Sequence, residues 1–246
     1  MGNETIQPIE AVAEESLNFN IDVFASFRIT ENIEILITET TVNTWIIMGL
    51  LVLLGIIVRI KSNKWDPLKK PTGLQNVIEL AIEAWEKFFR SNSSDRVIYL
   101  APWFFSLFAF LFVSNIIGIT GLRPPTADWG MTFPLAFSTF LLIIFAGMRH
   151  RPKAYLKSIF LEPFFLFAPL NIIGELARPI SLSFRMFGNV LGGMILLSLL
   201  YGLAPYVSRF ILPAPIHMYF DLVAGALQAV IFVVLSITFV GVAAED

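Results

Sequence analysis

The sequence predicts an all-α polytopic membrane protein with about five membrane-embedded helices, an interfacial amphipathic helix and a long tilted C-terminal helical hairpin. The 246 residues are 56% hydrophobic and only 15% charged, whereas soluble domains are about 25% charged. Five stretches without any charged residue are long enough to cross a bilayer core, which takes about 20 apolar residues. These stretches are 40–58, 97–122, 129–148, 186–208 and 222–244.

Residues 1–39 form an acidic N-terminal segment. It holds eight acidic residues and one arginine, with no long apolar run, so the sequence predicts neither a secretory signal nor a transit peptide. The whole chain has no cysteine and two isolated histidines, which excludes disulfides, thiolate metal sites and covalently attached haem. We therefore expect no metal and no cofactor.

The membrane domain covers residues 40–246, and its last two helices are predicted to be unusually long. The helical pattern from 169 to 204 corresponds to about 54 Å, against about 30 Å of hydrocarbon core, so strong tilt is expected. The predicted segments, in chain order, are a transmembrane helix at 40–58, an amphipathic helix at 72–90, a transmembrane hairpin at 97–122 and 129–148, and long tilted helices at 163–208 and 215–244.

The amphipathic helix follows from the spacing of its apolar side chains. Residues from Leu74 and Val77 to Trp85 and Phe89 recur on one face, while glutamates, a lysine and an arginine fill the other. Such a helix is too polar to cross the bilayer and is expected to lie along the membrane surface or to cover a partner helix. Packing against its own protein is the alternative.

Basic residues predict the orientation of the chain. They concentrate in two loops, "RIKSNKWDPLKK" after the first span and "RHRPKAYLK" after the third, whereas the alternate loops carry Arg123 and Arg209. The positive-inside rule places the two basic loops in the cytoplasm. The N-terminus is then outside and the C-terminus cytoplasmic, and the bacterial plasma membrane is the favoured location.

Polar residues form a stripe along the fourth span and recur on the fifth. Separations of three, four and seven residues keep side chains on one face of a helix, and ionisable groups at membrane depth normally face a partner or a water-filled path. The stripe therefore predicts a hydrated path between the two long helices. Its candidate residues are Asn171, Glu175, Arg178, Arg185 and Asn189, joined by Asp221 and Gln228 from the last helix.

Arg185 is, of these residues, the one with the highest free-energy cost of insertion into the membrane. An arginine at the centre of a membrane helix costs about 3 kcal/mol on insertion scales and about 10–17 kcal/mol in simulations. Gly188, Gly192 and Gly193 lie beside it, and small residues let another helix approach closely. Together they predict a surface that meets a second, moving protein.

Two stretches resemble a known family. "ARPISLSFRMFGN" and "FDLVAGALQAVIFVVLSI" are similar to subunit a of F-type ATP synthases, the stator half of the membrane motor, and the resemblance extends from the first span to the C-terminus. It implies an ion-translocating subunit with two offset half-channels, which is not an enzyme on its own. The implied partners are the c-ring of subunit c, subunit b of the peripheral stalk, the rest of the F0F1 complex and the lipid bilayer, with no nucleic acid.

The resemblance also implies roles for individual residues. Arg185 corresponds to the essential arginine that faces the ion-carrying carboxylate of each passing subunit c. Asn189 and Gln228 correspond to its polar neighbours. Glu175 falls on the acidic position of the cytoplasmic half-channel, and Arg178 on a basic position nearby.

One pair of positions departs from the family pattern. Many members carry a glutamate nine residues after the arginine and a histidine seven residues before the glutamine, whereas this chain has Met194 and Asp221. Asp221 is then the sole titrating candidate on the outer side. Whether the ion is H⁺ or Na⁺ stays open, because the binding carboxylate would belong to subunit c.

Two other classes of protein are alternatives. A self-contained ion channel or secondary transporter would carry paired repeats or a selectivity filter within the chain, and we find neither in the sequence. An intramembrane serine protease needs a nucleophile and a base at membrane depth. Ser181 and Ser183 lack the surrounding glycine motif, and no histidine lies within a span.

Overall fold

A computed structural model describes residues 23–30, 33–63, 65, 73–120, 122–160, 164–203, 215–216 and 218–245. Five helices in this part of the chain are long and apolar enough to cross a membrane. The predicted all-α polytopic class is thus confirmed. The five candidate spans are Glu39–Ser62, Asp95–Thr120, Trp129–His150, Ala168–Leu200 and Met218–Ala244.

A short β-hairpin precedes the first helix. Strands β1 (Val23–Thr30) and β2 (Ile33–Thr38) pair antiparallel, with Phe27 opposite Ile35. Both strands are rich in β-branched and aromatic residues, which favour the extended backbone. The sequence prediction described this region only by its acidic charge and assigned it no regular structure.

Helix α1 (Glu39–Ser62) is held by its N-terminal end. Thr38 caps it by accepting a hydrogen bond from the Thr41 backbone N–H. The Thr40 hydroxyl donates to Asp128 at 3.1 Å, and the Asn43 amide donates to the backbone carbonyl of Arg123 at 2.9 Å. The buried residues of α1 all lie in its first half: Thr40, Asn43, Thr44 and Ile47.

Helix α2 (Gly73–Asn92) is the predicted amphipathic helix, and its two halves differ. In the second half, the Trp85 indole N–H donates to the Ala101 carbonyl at 2.9 Å, and Phe89 is fully buried. In the first half, Val77 and Leu80 are 65% and 62% exposed. The helix therefore packs on its own protein through one end and leaves apolar residues uncovered at the other.

Three helices surround the buried core. Helix α3 (Ala101–Ile116) lies between two 3₁₀ segments, Asp95–Leu100 and Ile117–Thr120, and α4 (Trp129–His150) begins at the N-cap Asp128. The last helix, named α7 below, covers Gly225–Ala244. The core side chains that these three helices share are Phe104, Leu111, Ala136, Ile143, Phe232 and Ile237.

Helix α6 (Ala168–Leu203) is continuous over 36 residues although Pro179 lies inside it. The prediction placed its start at 163, but a 3₁₀ turn at Phe165–Phe167 comes first. A short helix α5 (Pro152–Phe160) occupies the basic loop, to which the sequence prediction assigned no helix. The segment 204–214, predicted to contain the end of this helix, lies outside the described residues.

Helix α6 extends well past its neighbour α4. The Trp129 indole N–H at the start of α4 donates to the Ser183 hydroxyl at 2.8 Å, and its ring stacks on Phe184. Ser183 lies near the middle of α6. The second half of α6 therefore extends past Trp129, the first residue of α4. That half packs against a π-helical turn, Met218–Ala224, which leads into α7, and also meets α7 itself through Asn189 and Gln228.

Arginines from two loops bind the end of α7. Arg151 donates through Nε to the Ala243 carbonyl at 3.2 Å, and Arg96 donates through Nη1 to the Ala244 carbonyl at 3.2 Å. The last carbonyls of a helix have no partner within it and carry a partial negative charge. The two guanidinium groups therefore satisfy and neutralise this end of the helix.

Candidate functional site

Arg185 faces outward from the middle of α6. Leu182, three residues before Arg185, and Met186, the residue after it, are 4% and 0% exposed, so α6 buries the surface next to the arginine and this packing fixes the rotation of the helix. The arginine itself is exposed, and within the described part of the chain its guanidinium makes no hydrogen bond or ion pair. It is a permanent positive charge that the chain leaves available to another molecule.

The three glycines beyond Arg185 do not share one role. Nothing lies within 4 Å of a Cβ placed on Gly188 or Gly192, so these two leave open space beside the arginine. A Cβ on Gly193 would lie 3.0 Å from the Phe220 ring. The predicted small-residue surface therefore consists of Gly188 and Gly192, while Gly193 lets the π-helical turn pack against α6.

Asn189 and Gln228 join the two long helices. The Asn189 amide donates to the Gln228 side-chain oxygen at 2.7 Å, one helical turn beyond Arg185. Gln228 is 2% exposed, and its amide nitrogen has no partner among the described residues. This leaves a buried donor near Arg185 that a water molecule or a partner's acceptor can satisfy.

Glu175 and Arg178 form an ion pair in the first half of α6. Arg178 Nη1 lies 2.8 Å from Glu175 Oε2, and its guanidinium also stands 5.2 Å above the centre of the Phe239 ring. A cavity of about 270 Å³ lies between α6 and α7. Both Arg178 and Arg185 line it, with Ser181 between them, so it joins the ion pair to the exposed arginine.

Comparison with known proteins identifies the family of this chain. Residues 41–241 match the family described as ATP synthase A chain. The chain belongs to this family. It is the ion-translocating stator subunit of an F-type ATP synthase.

Individual relatives agree with the family assignment. ATP synthase subunit a of Moorella thermoacetica is 35% identical, with 83% of this chain and 89% of the relative covered. The protein of the same name from Solidesulfovibrio magneticus is 34% identical, with 82% and 83% covered. ATP synthase subunit a, sodium ion specific, of Propionigenium modestum is 30% identical, with 83% and 73% covered.

Asp221 lies in the π-helical turn of this ATP synthase subunit, but its side chain is outside what the structure describes. The neighbouring Phe220 packs on Gly193, so the backbone at Asp221 lies beside the part of α6 that carries Met194. Two of the residues singled out on the outer side therefore come from adjacent segments. A π-helical turn is itself frequent at functional sites.

Several polar contacts around the site had no signal in the sequence. Ser183 was considered only as a nucleophile, whereas it is buried and accepts a hydrogen bond from Trp129. Asn115 donates to the Gly225 carbonyl at 2.8 Å and accepts from the Thr126 hydroxyl at 2.7 Å. Only the tertiary arrangement of α3, α4, α6 and α7 brings these residues together. The described residues contain no group of three acidic, histidine or cysteine side chains that could hold a metal ion.

Proposed function

We propose that Arg185 attracts the ionised carboxylate of each subunit c that passes it in the membrane, so that ion flow drives rotation of the c-ring. The observation that supports this most directly is the exposed guanidinium, which lacks a partner in the described chain and stands beside open space at Gly188 and Gly192. A c-ring helix could approach closely at these glycines.

The physics of the guanidinium suits this role. It stays protonated under cellular conditions, so it cannot carry the ion, but it favours the ionised form of an arriving carboxyl group. At 4 Å and an effective dielectric constant near 20, this attraction amounts to about 4 kcal/mol. The same fixed charge repels cations and opposes direct leakage between the two sides of the membrane.

We place the inner half-channel along the cavity between α6 and α7. Arg178, which pairs with Glu175, and Arg185 both line this cavity, and in this proposal the ion pair marks its cytoplasmic end. Ions released at Arg185 would reach the cytoplasm past Ser181. Asn189 and Gln228, which hold α6 and α7 together next to Arg185, would separate this path from the outer one.

We place the outer half-channel at the π-helical turn, with Asp221 as its titrating residue. In this proposal the N-terminus lies outside, the C-terminus lies in the bacterial cytoplasm, and subunit b of the peripheral stalk contacts the chain. The chain has no ATP chemistry of its own, which belongs to the other subunits of the F0F1 complex.

Cysteine cross-linking tests the proposed contact with the c-ring. The chain has no native cysteine, so Gly188→Cys and Gly192→Cys would each introduce a single thiol. We expect both to form disulfides with a cysteine placed next to the ion-binding carboxylate of subunit c. Gly49→Cys is the matched control, because Gly49 on α1 is equally open but lies on a different helix. Equal cross-linking at Gly49, or none at either α6 position, would contradict the proposed face.

Asp221→Asn tests the outer path separately. The amide keeps the size of the side chain and removes its charge, so we expect slower ion-driven ATP synthesis in proteoliposomes without a passive leak. Asp221→His should recover part of the rate if the residue relays protons, and none if only negative charge matters. Glu245→Gln, at the opposite end of the last helix, serves as the control. Wild-type rates for Asp221→Asn at matched assembly would place the outer entrance elsewhere.

A further inference from the structure

Tyr155 on α5 is a buried tyrosine with an unsatisfied hydroxyl. Its side chain is 5% exposed, and the hydroxyl oxygen has no hydrogen-bond partner among the described residues. Buried tyrosine hydroxyl groups normally find a partner, because burying one without a hydrogen bond is unfavourable. The hydroxyl of Tyr155 therefore requires a partner that the described residues do not supply.

The ring of Tyr155 is held in one position by α4. A Cβ placed on Gly147 would lie 2.6 to 2.8 Å from three atoms of the ring. Only glycine permits this close approach. The hydroxyl therefore has little freedom to turn away in search of another partner, and its direction is set by the packing of α5 on α4.

The register of α5 against α6 places Tyr155 alongside the ion pair. The Asn171 amide on α6 donates to the Ile159 carbonyl at 3.2 Å and to the Ser158 carbonyl at 3.4 Å. Glu175 lies one turn further along α6, and Tyr155 lies one turn back along α5. Burial, and then the negative charge of Glu175, raise the pKa of Tyr155, while Arg178 lowers it. The hydroxyl therefore stays protonated and is available as a donor.

Glu175 has the complementary requirement. One of its oxygens, Oε2, accepts from Arg178 at 2.8 Å, and the carboxylate makes no other hydrogen bond within the described ranges. Its second oxygen can accept from a neutral donor on the other side. A water molecule can bridge two such groups with little loss compared with a direct hydrogen bond.

We infer that Tyr155 is a positioning residue of the inner half-channel, whose hydroxyl binds a water molecule that donates in turn to Glu175. The carboxylate is then held from two sides, by Arg178 directly and by Tyr155 through water. This inference rests on the proposed role of Glu175 in ion exit. It assigns the short helix α5 a part in the ion path, where the sequence indicated only a basic loop.

A double-mutant cycle in proteoliposomes tests this inference. Tyr155→Phe keeps the ring against Gly147 and removes only the hydroxyl. We expect it to slow ATP-driven ion pumping by about three- to tenfold, the range that corresponds to the net contribution of one hydrogen bond. Glu175→Gln should slow it as well, and the double variant should be no slower than Glu175→Gln alone, because residues that act through one group are not additive.

Controls separate this inference from the proposed function and from a purely structural role. Tyr99→Phe removes another tyrosine hydroxyl on the same side of the protein and should leave pumping unchanged. Wild-type pumping in Tyr155→Phe, with Glu175→Gln slowed, would overturn the role of Tyr155 alone. Wild-type pumping in Glu175→Gln would overturn the proposed role of Glu175. Independent, multiplying effects of the two changes would mean that Tyr155 acts on stability and not through Glu175.

Discussion

Arg185→Ala is expected to abolish ion-driven ATP synthesis while the assembled complex keeps its composition. The substitution removes an attraction of about 4 kcal/mol for the carboxylate of subunit c, and each 1.36 kcal/mol corresponds to a tenfold change in rate. A loss of about a thousandfold follows. Because Arg185 makes no hydrogen bond or ion pair to the described part of its own chain, folding should be little affected.

Arg185→Lys tests whether a positive charge alone is sufficient at this position. A lysine keeps the positive charge in water, but it can lose its proton when desolvated and lacks the planar array of donors. We expect it to fail in coupled synthesis as well. Arg59→Ala, which removes an exposed arginine at the end of α1, is the control for loss of charge. Normal synthesis by the Arg185→Lys variant would rule out the mechanism proposed here.

Gly188→Trp is expected to stop the motor by steric means. The space beside Gly188 is open in this chain, so the indole can be accommodated when the subunit folds alone but would occupy the place of a c-ring helix. Overpacking of a well-packed core costs about 1–3 kcal/mol, and a similar cost at this interface corresponds to about a 5- to 160-fold loss of ATP-driven pumping.

Gly49→Trp is the matched control for this substitution. Gly49 is also open on every side within 4 Å, but it lies on the exposed part of α1, away from Arg185. We expect normal pumping from this variant, with both proteins assembled to the same level. Equal loss in the two variants would indicate general damage, and full activity in Gly188→Trp would mean that no rotor passes along this face.

The sequence predicted the membrane helices well because lipid imposes a simple requirement. A span must be long, apolar and free of unpaired charge. These properties can be read directly from the order of residues in the sequence. Helical spacing also sufficed to put Glu175, Arg178, Arg185 and Asn189 on one side of α6. The 2.7 Å contact between Asn189 and Gln228 agrees with a shared path between the two long helices.

Features that depend on neighbours in space could not be predicted in this way. Pro179 is compatible with a break or with a continuous helix, and only the packing of α6 against α4 decides in favour of continuity. Gly188 and Gly193 are both glycines on the same helix, yet the space beside Gly188 is open and Gly193 touches Phe220. Nothing in the sequence singles out the hydroxyl of Tyr155, because its burial depends on how the otherwise exposed helix α5 packs against α4.

The part of α6 that extends past α4 has a mechanical consequence. From Ser183, which Trp129 holds at the start of α4, to Leu203 there are 20 further residues, or about 30 Å of helix. In the proposed mechanism, a c-ring that presses on this length of α6 would bend it about the contact at Ser183. The π-helical turn supports this length of α6 on one side. The bending stiffness of α6 should therefore differ with the direction of rotation. Synthesis and hydrolysis would then strain the stator unequally, even at the same torque.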